Sequence, residues 1–400
     1  MDEPDKPRGD GTPMDDRREN GPPGRRHGVA PSCLFHPFEL AVCGQKGSGQ
    51  TRLIIDLIAR LAPLRVGYAK KDMHGFQFDQ PGKDTQRAGA AGAAMVWIES
   101  PAARAHQGWL PASPTLRAEI FADCDLVLAE GWRHQAGLPR LLLVDGLDPE
   151  EELPQVAACV TADPERCRSG ALGLPPWLRE RPVPLFHLED GEGVARWLRQ
   201  HFQDRITARP LKGLVLAGGR STRMGRDKAL LEFDGLPLAE RAARLLDPLC
   251  GEVRLSVRMD QAAERGALGR PLLVDRHLDL GPAGGILSAL EEDPAAAWLV
   301  LGCDLPLVTP EVLRRLLQGR DPWRVATAYD SPQDGQPEPL CAVWEPRARQ
   351  RILSHLALGR PCPRQILLNS SVNRLVLESK DGLFNVNRPE DLVRASRQLK

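Results

Sequence analysis

The chain has no net charge, no apolar run long enough to cross a bilayer and no C-x-x-C pair, and each absence removes a class of function. With 53 basic and 53 acidic residues, nothing favours electrostatic capture of nucleic acid or of an anionic membrane. A spanning helix needs about 20 consecutive apolar residues. The opening run MDEPDKPRGDGTPMDDRREN also lacks the apolar middle of a signal peptide. The expectation is a cytoplasmic protein with neither a nucleic-acid nor a membrane partner. The 9 cysteines are scattered, so neither a zinc site nor a disulfide framework is indicated. Cys43 and Cys303 lie in apolar strand-like runs and read as small buried hydrophobes.

What is present is enough chain for two domains: 400 residues, 42% hydrophobic and 26% charged. Residues 1–35 are rich in Pro, Gly, Asp and Arg and too poor in large apolar side chains to offset their ordering entropy, so they read as a disordered tail. From Phe38 onward strand and helix patterns alternate. An apolar run to Cys43 leads into a Gly-rich loop and a helix pattern, Arg52 to Leu61. AAMVWIE, a helix around Leu116 to Ala122, DLVLAE, RLLLVD, VPLFHL and a last helix, Gly193 to Phe202, follow. A polar stretch, Gln203 to Pro210, precedes a second start at LKGLVLAGG, with strand patterns at EVRLSV, RPLLVD, WLVLGCD and RVATAY. Alternation of this kind predicts two α/β domains with mostly parallel sheets, over residues 36–205 and 211–400. The first has a P-loop-like start and the second a Rossmann-like one.

In the second domain a strand delivers the chain into Gly218 and Gly219, where the backbone can approach a phosphate or base without a Cβ clash. Arg220, Arg223, Arg226 and Lys228 load the following segment with positive charge. RPLLVD ends in Asp275 and WLVLGCD ends in Asp304. In a parallel sheet ligands gather outside the carboxyl ends of the strands, so the Gly loop and both carboxylates are expected at one rim. A carboxylate there suits Mg²⁺ held against phosphate oxygens.

The run LAGGRSTRMGRDK resembles the signature of MobA-type transferases, L-A-G-G-x-S-x-R-M-G-x-D-K. GPAGGILSAL is similar to the family's G-P-L-A-G element, LVLGCDLPLVTPEVLRRLL to its C-D-x-P strand end, and PEPLCAVW and FNVNRPEDL to its late segments. The resemblance runs in order from Leu211 to Lys400. It implies transfer of GMP from GTP to molybdopterin or its molybdenum form, yielding molybdopterin guanine dinucleotide and pyrophosphate. It also implies that Leu216, Ala217, Gly218, Gly219, Lys228 and Asp275 bind GTP, that Asp304 binds both GTP and Mg²⁺, that Lys228 and Arg223 act in catalysis, and that Asn385 and Asn387 lie on the substrate side. Molybdoenzyme apoproteins or their chaperones are implied as partners. Where the family often has Asn in the second strand, this chain has Ser256, which offers fewer hydrogen-bonding groups. His277 and His355 read as structural. Related cytidylyltransferases tend to carry L-A-A-G where this chain has Leu216-Ala217-Gly218-Gly219, which favours guanine. A non-catalytic scaffold for cofactor delivery is opposed by the intact Lys228, Asp275 and Asp304.

The first domain opens with Gly44-Gln45-Lys46-Gly47-Ser48-Gly49-Gln50-Thr51. The P-loop pattern is G-x-x-x-x-G-K-S/T, whose lysine neutralises β and γ phosphates; here Gln50 stands in its place. The segment from Lys70 to Ala93, which contains His74 and Asp79, and the run DLVLAEGWRHQAGLPRLLLV with Glu130 resemble MobB proteins, the P-loop partners of MobA. Without the lysine, the domain is expected to act as an adapter with little nucleotide turnover.

Overall fold

The computed structural model describes residues 36–398 apart from 72–81, 94, 101–102, 109–113, 136, 149, 170–173, 182, 219–226 and 378–381. The amino-terminal tail, His74, Asp79, Gly219, Arg220, Arg223 and Arg226 therefore lie outside the described residues.

The first half runs β1 (Glu39–Cys43), α1 (Gln50–Arg60), β2 (Val66–Lys70), α2 (Asp84–Ala90), β3 (Met95–Glu99), β4 (Arg104–Gly108), α3 (Pro114–Ile120), β5 (Leu126–Glu130), β6 (Arg140–Leu143), β7 (Val156–Thr161), α4 (Pro164–Arg168), β8 (Leu185–His187) and α5 (Gly191–Thr207). Six strands form an all-parallel sheet in the order β2-β5-β1-β6-β7-β8. Its central strands β1, β5 and β6 are buried along their whole length, as continuous apolar runs covered on both faces must be. AAMVWIE does form a strand, but outside this sheet: β3 pairs antiparallel with β4 as a separate hairpin. The polar run after Phe202 is not a break, because α5 continues to Thr207 with Phe202 and Ile206 turned into the core. That interior face was hidden by the charged residues around it.

The second half runs β9 (Leu211–Leu216), β10 (Glu232–Phe233), β11 (Leu236–Pro237), α6 (Leu238–Leu246), β12 (Val253–Val257), α7 (Ala262–Gly266), β13 (Leu272–Val274), α8 (Pro282–Glu292), β14 (Ala297–Gly302), α9 (Pro310–Gln318), β15 (Ala326–Asp330), β16 (Pro337–Trp344), α10 (Ala348–Ala357), α11 (Pro363–Leu368), β17 (Val372–Val376) and α12 (Pro389–Gln398). The seven-stranded sheet has the order β13-β12-β9-β14-β16-β15-β17, parallel except for β16, which runs against both its neighbours. The first strand, β9, lies in the middle. The chain first builds outward to β12 and β13, then returns to its other side with β14. That reversal is the switch point at which open α/β sheets leave a crevice.

Local sequence explains the flanking helices. In α6, Leu238, Ala239, Ala242, Ala243 and Leu246 recur at helical spacing and are the buried face. In α9, Thr309 caps the amino end through Val312 N–H, Pro310 occupies the first turn and Gly319 ends the helix. α8 is buried along most of its length, and its glycines decide how closely it packs. A Cβ on Gly285 would lie 2.3 Å from Ser256 Oγ, and one on Gly284 would lie 2.8 Å from the His277 carbonyl.

Between the halves lies a polar seam with an aromatic margin. Asp125, whose side chain is fully buried, accepts from Arg65 of the first half and from Arg324 of the second, each at 3.0 Å. Arg347 donates to the carbonyls of Ala122 and Cys124 across the seam and to Trp323 O on its own side; burial pulls its guanidinium down to about 10. Trp323 packs on Phe38 with ring centroids 5.2 Å apart. Among the described residues no helix is long and apolar enough to cross a membrane.

Burial works against the Asp125 carboxylate, but Arg65 and Arg324 outweigh it and hold its carboxyl below the usual range. A depressed carboxyl contributes stability above its unfolded pKa of about 3.9 and loses it as the pH falls through the folded value. Asp125→Asn leaves two cations facing a neutral group and is expected to cost about 3 kcal/mol at pH 7, read as a lower urea midpoint. The gap from the parent chain should close below about pH 4. An equal gap at pH 3 and pH 7 would show that the charge of Asp125 is not what the seam uses.

Candidate active site

Three neighbouring strands end level with one another. Leu216 of β9 is in register with Ser256 of β12 and with Gly302 of β14. The chain therefore leaves the sheet at Ala217-Gly218, Val257 and Cys303-Asp304 along one rim. Ser256 Oγ donates to Asp275 Oδ1 at 2.7 Å, which fixes the carboxylate that follows β13. A Cβ on Gly218 would lie 3.5 Å from Asp275 Oδ2, so the backbone there passes close to the second oxygen. Burial pushes the Asp275 carboxyl up, against the Ser256 hydrogen bond and the nearby Arg258 and His277.

Lys228 opens a short 3₁₀ turn capped by Asp227, whose Oδ1 accepts from Ala229 N–H at 3.1 Å. Lys228 Nζ donates to Asp304 Oδ2 and to Asn387 Oδ1, each at 3.1 Å. Asp304 is thus half used. Its Oδ1 is buried with no hydrogen-bond partner, and so is Asn385 Oδ1. Val386 N–H, between the two asparagines, donates to the Asp304 carbonyl at 2.9 Å, which docks this late segment against the strand end. A Cβ on Gly302 would lie 2.5 Å from Asp304 Oδ1, so glycine there keeps that oxygen open. Among the described residues no three His, Cys, Asp or Glu side chains cluster as a preformed metal cage. One carboxylate oxygen and one amide oxygen, both buried and unpartnered, are hard donors of the kind Mg²⁺ accepts beside substrate phosphates; the residues fit that ion.

The structure brings Leu216, Ala217, Gly218, Lys228, Asp275, Asp304, Asn385 and Asn387 to the rim of one sheet. It pairs His277 with Glu291 at 2.9 Å and leaves His355 buried on α10. Two charged residues were not singled out from the sequence. Glu338 of β16 is buried, close enough to Asp304 for that charge to help burial raise its carboxyl, and bonded by Arg364 at 3.1 Å. Arg265 of α7 is fully buried. The acid in PEPL gave a signal for the first; nothing local marks Arg265, whose neighbours come from β9 and from Asp227.

At the first sheet the loop after β1 is closed by a side chain at the start of α1 and by one from the segment after β5. Gln50 Nε2 donates to the Gly44 carbonyl at 3.0 Å, and Arg133 Nη1 approaches the same oxygen at 3.3 Å. Gly47 and Gly49 hold φ of 85° and 98°, left-handed values natural to glycine. Thr51 Oγ1 lies 3.0 Å from both oxygens of Glu130, which also accepts from Tyr68 OH at 2.6 Å and pairs with Lys70 at 3.0 Å. Burial opposes the Glu130 charge, but these three partners outweigh it and hold the carboxyl below its ordinary range. Lys46 is exposed.

A glycine strand end at a β-sheet switch point is flanked here by strand-end acids, one of them bonded to a lysine, and the second half is a nucleotidyltransferase. The MobA-like NTP transferase domain matches residues 213–372, and molybdopterin guanine dinucleotide synthesis protein B matches residues 39–161. A molybdenum cofactor guanylyltransferase of Cereibacter sphaeroides is 34% identical over 195 residues, covering 48% of this chain and 97% of its own. A molybdenum cofactor biosynthesis bifunctional protein of Synechocystis is 36% identical over 186 residues, 46% of this chain; the match spans 54% of that relative's length. A solved molybdopterin-guanine dinucleotide biosynthesis protein A of Archaeoglobus fulgidus is 26% identical, covering 47% of this chain and 98% of its own, with a TM-score of 0.41. The chain belongs to the molybdenum cofactor guanylyltransferase family, with a MobB domain ahead of the transferase.

The raised Asp275 carboxyl carries a test. An acid whose folded pKa is raised costs the folded state stability once the pH exceeds its unfolded value. Asp275→Asn removes that cost and keeps an acceptor for Ser256 Oγ. The variant is expected to unfold at an equal or higher urea midpoint at pH 7. A lower midpoint would mean that the charge of Asp275 is structural.

Proposed function

We propose that the chain transfers GMP from GTP to the terminal phosphate of molybdopterin or its molybdenum form, making molybdopterin guanine dinucleotide. The observation that carries this reading is the half-used Asp304: one oxygen on Lys228, the other buried, open and level with the Gly218 strand end. An oxygen of the acceptor phosphate forms a bond to the α-phosphorus, the bond from that phosphorus to the α–β bridging oxygen breaks, and pyrophosphate leaves with the electron pair. A phosphomonoester with a second pKa near ~6 is already mostly a dianion at neutral pH, so no general base is required. Gly218 and Asp275 receive the nucleoside, and Lys228 turns from Asp304 to the phosphates. Asp304 and Asn385 are the residues to hold Mg²⁺, which when bound neutralises phosphate charge. Catalysis is then positioning and charge stabilisation. Delivery of the product to molybdoenzyme apoproteins or their chaperones belongs to the same reading.

The test is incubation of the full chain with molybdopterin, molybdate, Mg²⁺ and either GTP or CTP, with products identified by mass. GTP should support transfer at least about tenfold better than CTP, and Asp304→Asn should lower transfer by roughly a hundredfold (about 2.7 kcal/mol) with the fold intact. Preference for CTP would move the chain to cytidylyl transfer. Near-parental activity of folded Asp304→Asn would place the metal elsewhere.

We also infer that the MobB half is an adapter rather than a GTPase. Gln50 closes the loop that a lysine would open to phosphate, and the Thr51 hydroxyl is engaged by Glu130. In a full chain with the transferase site disabled by Asp275→Asn and Lys228→Met, calorimetry should find only weak GTP binding. Adding Gln50→Lys should tighten it about tenfold or more, since a charge-assisted contact contributes roughly 1.5–3 kcal/mol. Tight binding without the added lysine would end the adapter reading.

A further inference from the structure

Arg265 is a buried charged residue to which the transfer reaction gives no task. Its side chain is fully buried, and it sits among the groups of the transfer site rather than in an isolated part of the core. Its Nη2 pairs with Asp227 Oδ2 and reaches the Ala217 carbonyl at 3.4 Å. Its Nη1 lies 4.0 Å from Glu264, and neither Nε nor Nη1 has a hydrogen-bond partner. Arg265, Asp227, Lys228 and Asp304 all act on Cys303, whose thiol burial pushes up to about 12. Two of these charges are positive and two are negative.

An arginine so incompletely satisfied is a poor way to fill a core. A buried ion pair can commonly be replaced by apolar side chains of similar volume without loss of stability, and a Met or Leu would serve α7 as well. The two residues it touches explain why a guanidinium is there. Ala217 precedes, and Asp227 follows, the cation-rich segment 219–226. Asp227 in turn caps the turn that begins at Lys228. One planar cation with several donors can hold two oxygens at a fixed separation, and here those oxygens belong to Ala217 and Asp227.

We propose that Arg265 is a positioning residue for nucleotide transfer: by clamping the Ala217 carbonyl to the Asp227 carboxylate it sets the height at which Lys228 faces Asp304. It touches no substrate; it acts through Asp227 and the 3₁₀ turn. This rests on the guanylyl-transfer reading for its kinetic consequence but not for its structural one. A displacement of Lys228 by about an ångström is enough to lower the chemical step roughly ten- to a hundredfold while ground-state binding of the acceptor stays nearly unchanged.

The experiment uses the full chain with Arg265→Met, Arg265→Lys, Asp227→Asn and the double variant Arg265→Met/Asp227→Asn. Steady-state transfer and amide hydrogen exchange are both read. Arg265→Met is expected to lower kcat by roughly ten- to a hundredfold, with the acceptor KM within about twofold. Exchange should accelerate at Ala217 and over residues 227–231, with β14 and α9 protected as in the parent. Arg265→Lys should recover most of kcat, and the double variant should be no slower than the worse single one, because both remove the same clamp. Parental kcat in Arg265→Met, or losses that multiply in the double variant, would overturn the proposal. So would faster exchange confined to α7 and β12. If Arg265→Met does not accumulate as folded protein, Asp227→Asn decides, since it must show the same fall in kcat and the same local exchange. A parent chain that transfers no GMP, with the local exchange still gained in Arg265→Met, would sink the functional reading and leave the clamp standing.

Discussion

The parallel ladder between β9 and β14 is the constraint on which the transfer site depends. Its register sets Leu216 beside Gly302, and the ladder on the other side sets Leu216 beside Ser256. A parallel pair cannot slip by one residue without turning every buried side chain to the wrong face. β14 is buried through all six residues, and a fully buried Leu or Val contributes roughly 1.5–3 kcal/mol, so the register is held firmly. The positions of Gly218 and Asp304 at one level follow from core packing several residues away.

Close packing then refines what register alone leaves loose. The small residues of α8 let that helix lie against β9 and β12, and Gly285 leaves room for the Ser256 hydroxyl that orients Asp275. On the opposite side β16 returns antiparallel and brings Glu338 and Leu340 beside the strand end of β14. The acids of the site differ in consequence. Asp304 is paired on one oxygen and open on the other, whereas Asp275 and Glu338 carry carboxyls pushed up by burial.

The two halves are joined by polar groups that have left water. Asp125 and Arg347 would each be costly alone, and each is satisfied by groups from its own half and from the other together. β5 starts beside this seam and ends at Glu130, against the closed loop at Gln50. The MobB half is therefore bound to the transferase by the segment that leads directly into the strand carrying Glu130.

Much of this was readable in order along the chain. Strand, glycine pair and helix patterns announced two parallel α/β units, and Asp275 and Asp304 could be placed at a rim because apolar runs ended on them. The absent P-loop lysine was visible by inspection. Other features were invisible because they depend on residues far apart in sequence. AAMVWIE has the pattern of a sheet strand, yet it pairs with β4 alone. The charged residues of α5 disguise its buried stripe. Arg265 looks like any helix-surface arginine until Ala217 and Asp227 are brought to it across 48 and 38 positions of chain. Sequence by itself determined the two sheets, the glycine at the end of β9 and the strand-end acids, since these follow from local periodicity and backbone freedom. Only the tertiary structure decided which oxygen of Asp304 stays open, what closes the loop at Gln50 and which buried cation holds Asp227, because each is set by contact between segments that no local pattern connects.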